Sequence, residues 1–360
     1  MASIPTVAQA WRLPVDQSTW DTHKSLQLRD VKISFPKRGE VLIRLHAAAL
    51  NYRSQSYARP SGYSTGPDDQ GLILTCDGAG EIVALGEGVT EWKKGDRVHS
   101  LFYETWLDGP FKREYMNHTL GGTSSGCLLN TGTLYRIFTA ESLLPIPTHL
   151  SYEEASTIPC AALTAWHAFF EKQPINNNST VLVLGSGGVS VFGAQLAKAA
   201  GARVIATTSS KSKAEQYKSL LGVDEVVNYR ELPEWSTKVM ELTGGEGVEQ
   251  VLEVGGQGTI LHSVKSIKPN GLVHVIGVVA GSAPPSGSVA ELGQAILSTP
   301  ATVSGIMVGS KAMCERLDAF MTQHKIKPVI DRVFGWNEVV EALDYQLTGG
   351  HFGKIVIKID

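Results

Sequence analysis

The sequence predicts an α/β protein in which a doubly wound parallel sheet follows a β-rich first half. Beyond Ser151, short β-branched runs alternate with amphipathic helical patterns, as expected for βαβ crossovers that place helices on both faces of a sheet. Before Ser151, the apolar alternation is of the strand type and the connections are irregular. A length of 360 residues leaves room for two domains with well-buried cores.

Composition and charge exclude several classes of protein. The chain is 42% hydrophobic and has a net charge of −3 with mixed signs, which favours neither a nucleic-acid-binding nor a membrane-binding surface. It holds no apolar run long enough to span a bilayer, and MASIPTVAQAWRL lacks the features of a secretory signal. The four cysteines, Cys76, Cys127, Cys160 and Cys314, form no CxxC pair. We therefore expect free thiols and a reducing, cytoplasmic setting.

The first half contains three strand patterns and one long connection. Val41–His46 and Gly80–Leu85 alternate in strand fashion, and 87–100 is typical of a turn that leads into another strand. Residues 105–130 are rich in Gly, Asn, Ser and Thr and show little periodicity. We expect a long surface excursion there.

The second half has the pattern of an alternating α/β unit. Ser151 and Glu154 in SYEE match a capping box that begins a helix. The predicted strands are Val181–Leu184, Val204–Thr207, Glu225–Asn228, Val248–Val254, Leu272–Val279, Thr302–Val308 and Lys354–Ile359. The predicted helices cover 189–200, 212–221, 236–242, 257–267, 311–323 and 337–347. GSAPPSGS (281–288) is expected to form a loop.

A strand, a glycine-rich loop, a helix and a second strand succeed one another between Thr180 and Thr208. VLVL (181–184) leads into GSGGVSVFG (185–193), and the amphipathic pattern that follows ends at Gly201. This flanking context is what a dinucleotide-binding glycine motif requires. The segment therefore predicts that the chain binds the pyrophosphate of a nicotinamide dinucleotide.

Four residues of this loop are predicted to hold the pyrophosphate: Gly185, Gly187, Gly188 and Val189. Gly185 permits the turn out of the strand, and the next two glycines let the backbone approach a phosphate at the helix N-terminus. Ser190 replaces the third glycine of the GxGxxG pattern, so helix–strand packing there must accept a small hydroxyl. The alternative is a glycine-rich turn without a ligand.

The segment TTSSKSK (207–213) bears on which dinucleotide binds. NAD sites usually place an Asp or Glu about 20 residues beyond the first glycine, where it binds the ribose 2′-hydroxyl. No acidic residue occurs in this segment or between it and the glycine loop. Hydroxyls of Ser209 and Ser210 and the ammonium of Lys213 would instead bind a 2′-phosphate, which favours NADP over NAD. Alternatively, Lys211 and Lys213 are solvated residues that open a helix.

Several motifs along nearly the whole chain resemble the medium-chain dehydrogenase/reductase superfamily. Outside the glycine loop they are GDRV (95–98), SYEEAS…CAALTAW (151–166), VVNYRE (226–231) and HFGKIVI (351–357). LNYRS (50–54) and CDGAG (76–80) resemble the zinc-independent quinone oxidoreductase and enoyl reductase branches. The superfamily has a Rossmann domain and a β-rich GroES-like catalytic domain, so the resemblance implies both here.

The resemblance also implies where the domains lie and how copies associate. Residues 1–157 and 310–360 would form the GroES-like catalytic domain, and 158–309 would form the Rossmann NADP-binding domain. Substrate, a small molecule, would enter between the two. A homodimer through edge strands near 272–279 and 302–308 is implied as well.

Single residues receive roles from the same resemblance. In the quinone oxidoreductase branch, the lysine and tyrosine that match Lys213 and Tyr229 hold the adenosine phosphate end of the cofactor. Thr164 and the Asn51–Tyr52 turn match residues near the nicotinamide. The full set predicted to bind the cofactor is Thr164, Gly185, Gly187, Gly188, Val189, Ser209, Ser210, Lys213, Tyr229, Gly255 and Val278.

The metal-binding pattern of the zinc-dependent members is broken in this chain. Those members use a Cys, a His in a GHE motif and a second Cys. The corresponding positions here are Asn51, Cys76 and Cys160, and an amide is a poor zinc ligand. In the stretch that would match the structural zinc lobe, Cys127 stands alone. We therefore predict no metal, and the alternative is that Cys76, Asp77 and Cys160 come together around zinc.

Without zinc, the charge that develops on an enolate must be stabilised by hydrogen-bond donors. We predict hydride transfer from NADPH to the β-carbon of an activated alkene or to a quinone, with Tyr52 as the donor and Asn51 positioning the carbonyl. The alternative for Tyr52 is passive packing against the cofactor ring. Two other functions stay open: a zinc-type alcohol dehydrogenase or carbonyl reductase, and a non-catalytic NADPH-binding protein.

Substrate identity is not encoded in any motif that we recognise. None of the ten histidines has a sequence neighbour at the spacing of a metal site or a catalytic triad. Large apolar side chains in loops are candidates for a substrate lining, and each is equally compatible with a packing role. These candidates are Tyr57, Tyr63, Trp106 and Met307.

Overall fold

The structure is a computed structural model that describes residues 7–56, 71–124, 126–130, 135–279 and 285–359. The chain divides into two compact units. The two-segment unit consists of Met1–Leu163 and Val308–Asp360, and the central unit is Thr164–Met307. The sequence-based boundaries, at 157/158 and 309/310, lie a few residues away. The catalytic and cofactor-binding roles assigned to the two units remain predictions.

The first segment of the two-segment unit is mostly β-structure. The predicted strands at 41–46 and 80–85 are confirmed as parts of two longer strands. In chain order, the elements of this segment are β1 (Val7–Arg12), β2 (Gln27–Lys32), β3 (Glu40–Ala49), α1 (Tyr52–Ser56), β4 (Asp77–Leu85), β5 (Arg97–Ser100), β6 (Leu129–Asn130), β7 (Tyr135–Thr139), β8 (Leu143–Pro145) and α2 (Tyr152–Ala155).

Strands and helices alternate in the central unit, as predicted. A short helix at its beginning, α3 (Leu163–Trp166), lies between two π-helical turns at Ile158–Ala162 and His167–Glu171. The following elements are β9 (Thr180–Leu184), α4 (Gly188–Ala199), β10 (Arg203–Thr208), α5 (Lys211–Leu221), β11 (Glu225–Asn228), α6 (Trp235–Leu242), β12 (Val248–Glu253), α7 (Ile260–Lys265), β13 (Ile267–Val275), α8 (Val289–Ser298) and β14 (Thr302–Gly305).

The second segment of the two-segment unit contains two helices and two strands. The predicted helices at 311–323 and 337–347 and the strand at 354–359 are confirmed within a residue or two of their ends. The elements are α9 (Lys311–His324), β15 (Ile330–Phe334), α10 (Val339–Leu347) and β16 (Lys354–Lys358). Among the residues that the structure describes, no helix has the length and apolarity needed to cross a membrane.

The central unit is built on a six-stranded parallel sheet with the order β11-β10-β9-β12-β13-β14. The chain begins in the middle at β9, adds strands toward one edge, and then returns to add strands toward the other. Leu182, Ile205, Val251 and Val273 are fully buried, as expected when helices cover both faces of a parallel sheet. This doubly wound order confirms the predicted Rossmann fold, and its switch point lies between β9 and β12.

The two-segment unit is held together by its second segment. Its larger sheet has the order β15-β16-β3-β4-β5-β8, with β7 also paired to β3. β16 pairs antiparallel with β3, so that Val356 lies opposite Ala49. Ile43, Leu45 and Ile357 are buried in one apolar core. Strand pairing therefore brings the end of β3 next to residues that lie some 300 positions further along the chain.

In the part of the chain that the structure describes, α2 and α8 each begin at a serine–glutamate capping box. At α2, the predicted box is confirmed: Glu154 N–H donates to Ser151 Oγ over 3.1 Å, and Ser151 N–H donates to a Glu154 carboxylate oxygen over 2.8 Å. At α8, Ser288 and Glu291 make the same exchange. α8 was not predicted, because Ser288 ends the Gly/Pro-rich segment GSAPPSGS and its role as an N-cap is hidden there.

The prediction of a surface excursion at 105–130 was correct for 107–118, most of which is exposed, and wrong for Trp106, 119–122 and 126–128, which are buried. Trp106 is 1% exposed and stacks on the Tyr115 ring, with centroids 5.9 Å apart. Leu120 and Cys127 are also buried, and Arg113–His118 forms a 3₁₀ helix. Aromatic burial therefore anchors a stretch whose Gly, Asn and Ser content resembled that of a free loop.

The prediction for β13 was displaced along the chain. The strand begins at Ile267 and ends at Val275, whereas the sequence pattern indicated a strand at 272–279. The run from Lys268 to Gly271 resembles a turn, and Asn270 does have a positive φ of 64°. The strand accommodates it because the pairing with β12 shifts register between Val248 and Gln250.

A buried histidine–carboxylate pair ties β5 to α9. His99 Nε2 lies 2.9 Å from Asp318 Oδ2, and its Nδ1 lies 3.0 Å from the Ser100 carbonyl oxygen. Both ring nitrogens face acceptors, so the ring carries two protons. Burial disfavours this charge, but the charge and hydrogen bond of Asp318 outweigh it and raise the pKa of His99. The pair is 219 residues apart in sequence, which is why spacing did not reveal it.

The central unit contains a buried histidine with a neutral partner. His274 on β13 is fully buried, and its Nε2 lies 2.8 Å from Gln250 Oε1. The Gln250 amide nitrogen donates to the Gln173 carbonyl oxygen, which orients the oxygen toward the ring. Burial, with help from the positive charges of Lys172 and His167, lowers the pKa of His274 to about 3.

Candidate active site

The predicted site residues form two groups, and each lies within one unit. The first group lies in the central unit and includes the loop between β9 and α4. Gly185 has a φ of 76° and Gly187 is the N-cap of α4, with no side chain capping the helix. A Cβ added to either glycine would meet nothing within 4 Å. The helix N-terminus at Gly188 and Val189 thus faces an open cradle, which fits a pyrophosphate.

Contacts from two other elements fix the position of Gly185. Its N–H donates to Thr207 Oγ1 at the end of β10 over 3.3 Å. Its carbonyl oxygen accepts a 2.6 Å hydrogen bond from the hydroxyl of Tyr217, a fully buried residue of α5. Sequence analysis missed Tyr217. The signal was a tyrosine on the buried face of the helix that follows the TTSSKSK segment, since a buried tyrosine hydroxyl needs a partner.

The glycine that allows close packing of α4 on the sheet is Gly193. A Cβ there would lie 2.4 Å from a Leu252 methyl carbon of β12. Ser190 stands at the third glycine of the motif, and its hydroxyl donates to the Leu184 carbonyl oxygen over 2.5 Å. The hydroxyl therefore bonds back to the strand, and the close approach occurs one helical turn later.

The residues predicted to bind a 2′-phosphate lie at the end of β10 and the start of α5. Ser210 is the N-cap of α5, and its hydroxyl accepts from the Lys213 N–H over 3.4 Å. Ser209 and Lys213 are half-buried, and Tyr229 is 40% exposed. The Tyr229 N–H donates to the Thr208 carbonyl oxygen over 3.0 Å, which places this tyrosine beside the same strand end.

A buried carboxylate organises the loop after β12, where Gly255 lies. Glu253 accepts hydrogen bonds from the N–H groups of Gly255 (2.7 Å) and Gly256 (2.9 Å) and from the Thr259 hydroxyl (2.6 Å). Ser263 also donates to it. Sequence analysis missed Glu253, whose signal was an acidic residue at the end of an apolar strand.

The remaining two predicted cofactor residues differ in exposure. Val278 is 62% exposed and follows β13, and Thr164 is buried on α3. Both lie in the central unit. Their contact with a cofactor stays a prediction.

The second group is a buried polar cluster in the two-segment unit. The Asn51 amide nitrogen donates to Asp77 Oδ2 over 2.8 Å and to Cys76 Sγ over 3.3 Å. The Cys76 thiol donates to Asp77 Oδ1 over 3.2 Å. Lys354, the first residue of β16, completes the cluster, and its side chain is 2% exposed. We call these four residues the Asn51 cluster.

Lys354 fills all three of its donor positions within the protein. Its ammonium donates to the Asn51 Oδ1 atom over 2.6 Å, to the Leu50 carbonyl oxygen over 2.7 Å and to Asp77 Oδ2 over 3.2 Å. The Asp77 side chain is fully buried, so the ion pair is shielded from solvent. The motif pattern assigned no role to Lys354, and it offered Asp77 only as a zinc ligand in the alternative with Cys76 and Cys160.

Two further side chains lie beside the cluster. Burial raises the pKa of Cys76 well above its usual value, contact with Cys160 adds to this, and the positive charge of Arg53 opposes it. The Arg53 guanidinium lies 4.4 Å from the centre of the Phe102 ring. Arg53 was also missed, although it lies inside the LNYRS motif.

As arranged, the thiols do not fit a zinc ion of the kind that zinc-dependent members hold. A sulfur of Cys76, a carboxylate oxygen of Asp77 and the sulfur of Cys160 do lie within 4.8 Å of one another. However, Asn51 directs N–H groups toward two of these ligand atoms, and Lys354 adds a positive charge to Asp77. A zinc site requires thiolates and free lone pairs instead.

Tyr52, the predicted donor, comes directly after Asn51 in the sequence. It is 45% exposed and is the first residue of α1. The Asn51 carbonyl oxygen accepts from the Ser54 N–H over 2.9 Å, so Asn51 also holds the start of this helix. Of the candidate lining residues, Trp106 is buried in the core, Met307 is 41% exposed, and Tyr57 and Tyr63 lie outside the described residues.

An open cradle at a helix N-terminus on a doubly wound sheet is the geometry of a dinucleotide-binding Rossmann domain. Comparison with known proteins agrees. Residues 37–148 match the alcohol dehydrogenase GroES-like domain, and residues 188–323 match the zinc-binding dehydrogenase family. The chain belongs to the medium-chain dehydrogenase/reductase superfamily, which confirms the resemblance drawn from the motifs.

Three relatives illustrate the range of this family. A zinc-type alcohol dehydrogenase-like protein of Schizosaccharomyces pombe is 38% identical and covers 93% of this chain and 96% of its own. The 2-methylene-furan-3-one reductase of Solanum lycopersicum is 31% identical and covers 99% of this chain and 80% of its own. A protein whose crystal structure is that of an NAD-dependent alcohol dehydrogenase is 28% identical in sequence and superposes with a TM-score of 0.83. The match spans 98% of this chain and all of the other chain.

Proposed function

We propose that this protein is an NADPH-dependent oxidoreductase that reduces an activated alkene, such as an enone or enoyl compound, or a quinone, without zinc. The observation that carries the proposal is the Asn51 cluster. Asn51 and Lys354 satisfy the carboxylate of Asp77 with hydrogen bonds, so the cluster holds an internal cation where a metal-binding site would need free ligands. Because their side-chain donors are bound inside the protein, Asn51 and Lys354 fix the chain before Tyr52, and the Tyr52 hydroxyl would be the donor that the reduction of a conjugated carbonyl requires.

Bound NADPH would supply the hydride. Gly185, Gly187 and the N–H groups that open α4 would hold its pyrophosphate, and Lys213 with Ser209 would hold the 2′-phosphate. The acid-free segment supports NADP over NAD, because a carboxylate at this place would repel the 2′-phosphate. An NAD-dependent relative in the same family keeps the choice open to measurement.

The residues of this chain would act on the substrate as follows. Hydride addition at the β-carbon leaves negative charge on the carbonyl oxygen, and the Tyr52 hydroxyl would donate to that oxygen. Asn51 would keep the chain before Tyr52 in place through its contacts with Asp77 and Lys354. Arg53, next in sequence, would add positive charge on the same side of the cluster.

One named relative supports the substrate class. By its name, the tomato protein reduces 2-methylene-furan-3-one, in which an exocyclic alkene is conjugated to a ketone. We propose the same class of acceptor for this chain. The S. pombe relative and the paired thiols of Cys76 and Cys160 favour the second candidate, a zinc-type alcohol dehydrogenase or carbonyl reductase.

A substrate panel with a metal measurement on the same sample tests the proposal. Oxidation of NADPH and of NADH is followed with enones, enoyl thioesters, quinones and aldehydes, and zinc is measured in protein purified without chelator. We expect turnover with an enone or quinone, a preference for NADPH and far less than one zinc per chain. Stoichiometric zinc with aldehyde or alcohol turnover would establish the second candidate, and binding of NADPH with no turnover would favour a non-catalytic role.

The Tyr52→Phe variant tests the proposed donor. Because the hydroxyl would donate to the oxygen on which negative charge develops, turnover is expected to fall about 100-fold while the Kd for NADPH stays unchanged. Tyr345→Phe is the matched control, since it removes a tyrosine hydroxyl of the same unit that bonds to Asp331 and has no assigned role in the site. Unchanged turnover in Tyr52→Phe would remove Tyr52 from the mechanism.

The homodimer implied by the family is part of the proposal as well. β14 is an edge strand of the six-stranded sheet, so its outer side is available for pairing with a second copy. Light scattering of the purified protein at several concentrations would show a mass of two chains. A mass of one chain, 38.7 kDa, would remove this part of the proposal.

A further inference from the structure

We infer that Lys354 is a positioning residue of the active site: its ammonium fixes the Leu50–Asn51 corner and, through it, the placement of Tyr52. The inference rests on the proposed function, because it assigns Lys354 a part in that reaction. It also explains the misfit with zinc, since an internal cation stands against the carboxylate that a metal ion would need.

The contacts of Lys354 are complete within the protein. An ammonium has three N–H donors, and each has an acceptor at 2.6 to 3.2 Å. Two of the three acceptors, the Leu50 carbonyl oxygen and the Asn51 amide oxygen, belong to the two residues before Tyr52. Lys354 therefore does more than neutralise Asp77, because most of its bonds hold this corner of the chain.

The Asn51 amide is held in one orientation by its neighbours. Its oxygen faces the Lys354 ammonium, and its nitrogen faces Asp77 Oδ2 and Cys76 Sγ. An amide turned by 180° would direct its nitrogen at the ammonium and its oxygen at the carboxylate, so both contacts would be repulsive. Lys354 and Asp77 together thus allow a single orientation.

Hydrogen bonds join Asn51 to the helix that begins at Tyr52. The Asn51 carbonyl oxygen and N–H both bond to Ser54 in the first turn of α1, and Tyr52 begins that helix. On the other side, the Leu50 N–H donates to the Ile355 carbonyl oxygen over 2.9 Å. The corner is therefore bonded to β16 through both the main chain and the Lys354 side chain. Loss of the lysine would leave this corner bonded to β16 through its main chain alone.

A purely structural ion pair is the competing explanation, and it predicts a different result. Removal of one partner of a buried pair destabilises the fold, whereas removal of both charges restores much of the stability. If Lys354 only balanced Asp77, the double variant Lys354→Met/Asp77→Asn would regain turnover along with stability. If it positions Asn51, stability returns but turnover does not.

The experiment compares three variants with the wild type, using the full chain and the best acceptor from the panel. Lys354→Met is expected to unfold at a lower temperature, and Lys354→Met/Asp77→Asn to unfold close to the wild type. In the double variant we expect kcat to fall about 100-fold, with the Kd for NADPH unchanged. Arg136→Met/Glu104→Gln is the matched control, because it removes another largely buried ion pair, 3.1 Å long, of the same unit and should keep kcat within about twofold. Wild-type kcat in the stable double variant would overturn the inference.

A second measurement does not depend on activity. In a double-mutant cycle for unfolding in urea, Lys354→Met and Asn51→Ala should lose less together than the sum of their separate losses, since each removes the same bond. Additive losses would overturn the inference even with no substrate known. Absence of wild-type turnover with every acceptor would instead reject the proposed function, and the cycle would still decide whether Lys354 holds Asn51.

Discussion

The dinucleotide loop and the Asn51 cluster hold their shapes by different means. The loop is made of backbone: Gly185 and Gly187 leave space, and the peptide N–H groups that open α4 supply the charge. The cluster is made of side chains, with a buried ammonium and carboxylate at its centre. A site made of backbone groups keeps its ligand contacts when surrounding side chains are replaced, but ligand binding is lost when a new side chain fills the space that the glycines leave open. A charged cluster is sensitive to the loss of any one member, because the others are left unpaired.

The largest expected effect is a loss of dinucleotide binding when Gly187 is replaced. An aspartate there satisfies the N-cap preference of α4 and has room for its side chain, so the fold should be retained. Its negative charge would occupy the place of the pyrophosphate. We expect Gly187→Asp to weaken NADPH binding at least about 100-fold, as measured by fluorescence titration.

The neutral isostere provides the control for that experiment. Gly187→Asn has the same size and is also a good N-cap, so it reports the steric part of the loss alone. A further loss of about tenfold in the aspartate variant would be the electrostatic part. Equal Kd values for Gly187→Asp and wild type would show that the loop does not hold the pyrophosphate.

The next effect is a pH dependence of opposite sign in the two units. The pKa of His99 is raised above its usual 6.5, so the stability from its pair with Asp318 is present below about pH 6.5 and lost as the pH rises through the folded pKa. The pKa of His274 is lowered to about 3, so its contribution is present above about pH 6.5 and lost as the pH falls toward 3. Each slope is at most about 1.4 kcal/mol per pH unit.

Single variants separate these two slopes. In urea unfolding between about pH 5.5 and pH 8, Asp318→Asn should remove the His99 contribution and cost about 3 kcal/mol at the acidic end. His274→Gln should remove the loss of stability that the wild type shows on acidification. If Asp318→Asn left the pH profile unaltered, His99 would not be the charged ring that its contacts require.

The smallest effect concerns the two capping boxes. Ser151→Ala and Ser288→Ala should each cost about 1 kcal/mol, since both remove a hydroxyl that accepts an N–H at a helix start. α2 packs on the core through Ala155, whereas α8 has no fully buried residue. We therefore expect hydrogen exchange to show global weakening for Ser151→Ala and fraying confined to α8 for Ser288→Ala. Global weakening in both would show that α8 is an integral part of the cooperative core.

Sequence reasoning succeeded where the structure depends on neighbours in the chain. The strand–loop–helix around Gly185, the strand at Glu225–Asn228 and the box at Ser151 are all local, and each was predicted. The resemblance identified Asn51 and Tyr52 as site residues, but their roles still await measurement.

The misses share a physical cause, which is contact between residues that are distant in sequence. Lys354 reaches Asn51 across 303 positions, and His99 reaches Asp318 across 219. No local pattern records such a pairing, because it arises only when strands or helices pack. Glu253 and Tyr217 were missed for a related reason: they bond to backbone atoms of the loops, which carry no side-chain signature.

Lys354 also sets an order of assembly during synthesis. The central unit, residues 164–307, leaves the ribosome as one continuous stretch, so its sheet and dinucleotide cradle can form before translation of this chain is finished. Asn51 and Asp77 are made much earlier, yet they must wait for β16 before the ammonium can reach them. Until then, the Asp77 carboxylate lacks the ammonium that pairs with it in the folded structure. A nascent chain would thus be able to bind its dinucleotide before it can hold Tyr52 in place.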